Sequence, residues 1–99
     1  MGSAPAILSS MTVTAAGPCD GTTGRGSILI THDADAADVL RQLTVIVDGH
    51  QESPVLEPGS NRTVVDGIAC DGTARTVLVV AVARDGSAPT RAFAVMLPR

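Results

Sequence analysis

Apolar and polar positions alternate along most of this 99-residue chain with a period of two. That spacing puts successive side chains on opposite faces of a strand. Met11, Val13 and Ala15 alternate with Thr12 and Thr14, and Ile28 and Ile30 with Leu29 and Thr31. Leu43, Val45 and Val47 alternate with Thr44 and Ile46 and stop at Asp48-Gly49. Val55-Leu56 reads as a short edge piece ended by Glu57-Pro58-Gly59. Thr63 to Ile68 reads as a further strand, and Ala92 to Leu97 as the last one before Pro98. Thr76 to Ala83 is apolar on both faces and is followed by Asp85-Gly86, so it is expected to be a central strand. Seven short strands separated by Gly, Pro and Asp turns predict an all-β fold, two antiparallel sheets packed as a sandwich. Residues 10–99 make up the sandwich and residues 1–9 an N-terminal extension or arm. Ala34 to Leu43 is the one stretch open to a helix. Asp33 is placed to cap a single turn near residues 34–41, and a longer helix would displace the third strand.

Composition narrows the function classes. Charged residues make up 17% of the chain, against about 25% in an average soluble domain. Seven Arg are present and no Lys, and Phe93 is the one aromatic residue. A disordered chain would carry more charge and fewer Val, Leu and Ile. The longest apolar run, Val77 to Ala83, falls short of the roughly 18 residues of a membrane-spanning helix. A net charge of −3 without lysine offers neither the basic footprint nor the stacking platforms of a nucleic-acid binder. The start, Met1-Gly2-Ser3-Ala4-Pro5-Ala6-Ile7-Leu8, lacks the basic residues and apolar stretch of a secretory signal. It predicts a cytosolic product or a mature secreted domain, with Met1 to Ser3 either native or a cloning remnant.

Cys19 and Cys70 each open the tetrapeptide Cys-Asp-Gly-Thr, at 19–22 and 70–73, and each is followed by an apolar strand-like run. Asp-Gly marks a turn, because Gly tolerates positive φ and Asp bonds its own backbone. The two cysteines therefore sit at similar corners. A structural disulfide is expected, with two reduced, buried thiols as the alternative. Closing so long a loop would restrict the unfolded chain by at most about 4 kcal/mol. That is useful to a core built without large rings.

The strand order resembles that of immunoglobulin-like and fibronectin type III-like domains over nearly the whole chain. Leu43-Thr-Val-Ile-Val-Asp-Gly49 looks like the third strand and its turn in bacterial members. Pro58-Gly59 and the run Val77 to Gly86 look like the later strands. The chain departs from antibody domains in lacking Trp and Tyr, hence the buried core Trp and the tyrosine corner. The resemblance implies a seven-stranded antiparallel immunoglobulin-like β-sandwich. It also implies that the loop after the first strand and the loop before the sixth share one end. That layout brings Cys19 near Cys70, in a bridge at the base of the sandwich.

Chemistry-bearing residues are few. Asp33, Asp35 and Asp38, with Asp85 across the same end, are weak calcium candidates. Their spacing lacks the Gly and final Glu of the helix-loop-helix site. His32 at a strand end and His50 after a turn read as surface histidines. No nucleophile-elbow spacing accompanies them, so no enzyme and no cofactor is expected. Asn61-Arg62-Thr63 matches a glycosylation acceptor, which matters only on a eukaryotic secretory route, and the Ala, Gly and Arg bias points instead to a high-GC bacterium or its phage. Arg84, Arg91 and Arg99 read as solvated charges or as salt links to a partner.

A surface this low in charge favours durable association. The expectation is a non-enzymatic structural or interaction protein docking on a larger protein assembly, self-association included. The reading preferred is a phage virion component, a capsid or tail decoration protein, located in the virion or outside the cell. The alternatives are an exported bacterial module for a cell-surface or glycan ligand, and an inhibitor presenting the loop 85–90 or 48–54.

Overall fold

The computed structural model describes residues 3–97. In chain order the elements are α1 (Ala4–Ser10), β1 (Thr12–Ala15), β2 (Arg25–Thr31), α2 (Ala36–Val39), β3 (Leu40–Val47), β4 (His50–Glu52), β5 (Arg62–Ala69), β6 (Ala74–Ala83) and β7 (Thr90–Met96). The strands form two antiparallel sheets, ordered β1-β2-β5 and β4-β3-β6-β7. Alternation does what the sequence pattern requires. Ile28, Ile30 and Val65 of one sheet and Leu43, Val45, Val77 and Val79 of the other are buried in a single core. β6 lies between β3 and β7, as its two apolar faces predict.

The third strand turns back at Asp48-Gly49, where both residues have positive φ (53° and 77°). This is the backbone of a two-residue hairpin whose twist matches its strands, and Asp-Gly tolerates it best. It sets Val47 opposite His50 and Val45 opposite Glu52. The edge strand is therefore β4, not Val55-Leu56. Val55 is 76% exposed and unpaired. Pro54 and Pro58 flank that pair and have no N–H to give a ladder.

Residues 4–10, set apart in the sequence as an extension, form a helix. Ser3 caps it by accepting a hydrogen bond from the Ala6 amide, with proline in the first turn. Ala4, Ile7 and Leu8 are buried in the sandwich core. Arg91 on β7 closes its other end, donating to the carbonyls of Leu8 (2.6 Å), Ser9 (3.1 Å) and Met11 (3.4 Å). The Leu8 carbonyl also accepts from the Met11 amide at 3.2 Å, and carbonyls at the end of a helix, short of intrahelical partners, are satisfied by such outside donors. α2 is the single turn expected between the second and third strands, but Asp33 does not cap it with its side chain. Asp35 occupies the N-cap without a side-chain bond. Asp33 offers its backbone carbonyl to the Ala36 amide and its carboxylate to the Ser10 hydroxyl.

Cys19 and Cys70 form a disulfide at the end of the sandwich remote from α1. Leu97 and Gly26 pack against its sulfurs, and a Cβ on Gly26 would stand 3.0 Å from Cys70 Sγ. The two Cys-Asp-Gly-Thr repeats lie at the same corner and use Asp alike. Asp20 accepts from the amides of Thr22 and Thr23, and Asp71 from the amide of Thr73. Their glycines differ, since Gly72 has a φ of 76° and Gly21 stays outside the left-handed region. The same end is cross-braced by Arg75, which bonds Asp48 of the β3–β4 turn and Asp71 of the β5–β6 turn.

Candidate interaction face

The groups with chemical potential are dispersed, and most are engaged in holding the fold. His32 is buried at 7% exposure, not a surface residue. It continues the inward parity of Ile28 and Ile30, and its Nε2 pairs with Thr63 Oγ1 at 2.8 Å. Its Nδ1 lies 3.0 Å from the Asp33 carbonyl. His50 is exposed and pairs with Glu52 Oε1 at 2.7 Å. His32 follows β2 and His50 opens β4, each with its own local partner. Asp35, Asp38 and Asp85 line one shallow cavity of about 590 Å³, beside α1 and Arg84. Asp33 points instead to Ser10. Among the described residues no group of three or more His, Cys, Asp or Glu side chains is placed to hold a metal ion.

Two carboxylates are shifted by turn geometry. The Thr73 hydroxyl and then its amide hold the Asp71 carboxyl below the usual carboxylate value, with Arg75 adding to the effect. The Ser87 amide and hydroxyl do the same for Asp85. Both shifts stabilise tight turns.

Arg84 and Arg91 each bond backbone carbonyls within the chain. Arg84 donates from Nε and one terminal nitrogen to the carbonyls of Asp38 and Ala37 at the end of α2. Arg91 closes α1 and also stands over the Phe93 ring, 4.6 Å from its centroid. Phe93, half-buried beneath that guanidinium, is not a free stacking platform. Arg99 lies outside the described residues. The segment 48–54 is a tight hairpin with β4 and not an open loop. The loop 85–90 is drawn in by bonds from the Ala83 amide to the Ser87 carbonyl and from the Ala81 amide to the Pro89 carbonyl. Asn61 is exposed, and its carbonyl accepts from the His32 amide. No helix of the described residues is long and apolar enough to cross a membrane.

What remains is a surface. Inward positions of the four-stranded sheet are Leu43, Val45 and Val47 on β3 and Val77, Val79 and Ala81 on β6. The alternate positions face out, and the register fixes their neighbours. One row across the sheet runs Gln51, Ile46, Leu78, Ala92, and the next runs Thr44, Val80, Thr90. Val82 lies beside Gln42, Thr76 beside Ala94, and Ala74 beside Met96. Ile46, Leu78, Val80 and Val82 are half-buried by one another, and Met96 is 55% exposed. The paired rows hold no charged side chain, and exposed Arg41, in the β3 bulge beside Gln42, and Arg84, just past β6, mark one end of the face. The three-stranded sheet differs. Its outer face carries Thr12 bonded to Thr31, Ser27 bonded to Asp66, and Arg62 in register with Thr31. The apolar centre, with Thr44 buried at 6% exposure and bonded by Gln42, is bordered by Gln51, Thr90 and Arg41, a composition like that of an interface core and its border. Sequence reasoning identified β6 as apolar on both sides, but the rows appear only once the register of β3, β6 and β7 is known. Comparison of the chain with protein-family models, with curated proteins and with solved structures finds no match in any of the three.

Proposed function

We propose that this chain is a non-enzymatic interaction module that docks on a larger protein assembly. The observation that carries the reading is the outer face of the four-stranded sheet, uncharged across its rows in register. A small domain gains solubility by charging such a face; keeping it apolar is consistent with its being covered. The scaffold behind it is stiffened at one end by the disulfide and Arg75, and at the other by α1 and its Arg91 clasp. A rigid surface loses little freedom when it binds.

The assembly we favour is a virion, with this chain as a capsid or tail decoration protein working outside the cell, where a disulfide persists. The strand order β1-β2-β5 with β4-β3-β6-β7 supports the immunoglobulin-like reading made from the sequence. Density-gradient sedimentation of material from the native source tests the proposal. Peptides of the chain, detected by mass spectrometry, are expected to travel with a large particle at fixed stoichiometry. Recovery in the soluble fractions alone would overturn it and favour an exported binding module.

A further inference from the structure

We infer that β7 takes an extended segment of the partner protein as a fifth strand of the four-stranded sheet. The inference deepens the docking reading and rests on it for the source of the segment. Elimination among the strand edges leads there first. The two sheets leave four edge strands, β1, β5, β4 and β7. β1 has four residues and β4 three, too short for more than a few ladder bonds. β5 is longer, but its register with β2 breaks between Gly26 and Ile28, and Arg25 donates to the Gly67 carbonyl at 2.9 Å. A bulge and a charged side chain are common means of closing an edge to other chains. β7 is not closed in this way. Its seven residues pair with β6 in unbroken register from Thr90 to Met96, and its one charge, Arg91, is bound to carbonyls at the end of α1.

Backbone geometry selects the occupant. The Ala81 amide donates to the Pro89 carbonyl, which sets the alternation of bonded and open positions along β7. Arg91, Phe93 and Val95 therefore turn their N–H and C=O groups to β6, and Thr90, Ala92, Ala94 and Met96 turn theirs to the open edge. Among the described residues no strand pairs with that edge. Donors and acceptors repeated at a spacing of two are matched by another extended backbone. Pro89 and Pro98 bound the run, so the segment that fits is as long as the seven residues of β7.

Side chains give the segment its character. On the outer face of β7, Ala92 stands beside Leu78 and Ala94 beside Thr76. The two alanines leave a low step between the tall Leu78 and the open edge. An added strand with large aliphatic residues at alternate positions leans over that step and packs towards Leu78. It widens the apolar face proposed above for docking, so one partner contacts edge and face together. Each copy of this chain carries a net charge of −3, so a neutral or basic segment is drawn to the edge more readily than a second copy is.

NMR titration of the oxidised full-length chain with an end-blocked heptapeptide of alternating valine and threonine is the test. The amides of Thr90, Ala92, Ala94 and Met96 are expected to shift and, at saturation, to exchange with solvent about tenfold more slowly. Ala94→Pro removes one edge donor without touching the β6 ladder, at a position where proline is tolerated. It is expected to weaken the peptide about tenfold. Val64→Pro, at an open position of the β5 edge, is expected to leave binding unchanged. A peptide that moves no β7 amide overturns the inference, as does one that binds the folded Ala94→Pro variant as tightly as the parent. The same four shifts on concentrating the chain alone also overturn it, because the edge then belongs to a second copy. Sedimentation with a particle, without peptide binding at β7, keeps the docking reading and sinks strand addition. Peptide binding at β7 by a chain found only in soluble fractions keeps strand addition and sinks the assembly.

Discussion

Gly26 shows how much one missing methyl group can matter. Its place beside the disulfide leaves a Cβ 3.0 Å from Cys70 Sγ and 3.2 Å from both Cys19 Sγ and Leu97. Gly26→Ala is expected to lower stability by about 1–3 kcal/mol through overpacking. Urea unfolding should show this, with a smaller loss in the reduced chain, where the sulfurs can part. His32 is buried although it stands at a strand end, and the alternation of the strand carries that signal. It follows Ile28 and Ile30 at the same parity, so the alternation that placed them inside places His32 inside too. A strand end, where side chains are usually exposed, masks that signal in the sequence. Thr63→Val should leave the buried imidazole without its 2.8 Å partner and cost about 1–3 kcal/mol in the same assay. Asp71 is testable by pH. Its carboxyl is held low mainly by Thr73, so its contribution is present above the unfolded value of 3.8. It is lost as pH falls through the lower folded value. Thr73→Val should move the Asp71 titration, followed by carboxyl NMR, up towards its ordinary position.

Among the elements, legibility followed the strength of the period. β2, β3, β5, β6 and β7 each carry several apolar residues at a spacing of two, and each was placed from sequence to within a few residues. β4 was missed because His50, Gln51 and Glu52 are all exposed and polar. Nothing but the hairpin turn before them announces an edge strand so short. Val55-Leu56 offered apolar residues without the backbone donors to use them. α1 was missed because a seven-residue helix shows hardly two turns of periodicity. The signals it did carry, Ser3 followed by Pro5 in the first turn, are start signals with no length behind them. A helix this short depends on its packing and its ends. Arg91→Met is therefore expected to loosen α1 while the strands hold. Hydrogen exchange at the amides of residues 7–11 should quicken, while exchange in β3 and β6 stays at its parental rate.

For the molecule as a whole, composition anticipated an uncharged surface but not where it would lie. Ile46, Leu78 and Ala92 are far apart in sequence, and only the strand register makes them one row. The disulfide was legible because two cysteines at similar turns had few other uses. It also decides how the molecule would behave under tension. The bridge joins residues 51 apart, so a load applied at the two termini bypasses β2, β3, β4 and β5 through a covalent shortcut. Those strands cannot be drawn out until the bond is broken. At roughly 3.5 Å per residue, about 180 Å of contour length is withheld. Single-molecule pulling should show oxidised molecules extending less than reduced ones by that amount. A particle carrying such a module on its exterior would hold about half of each copy in a closed loop that shear cannot stretch while it draws out the rest.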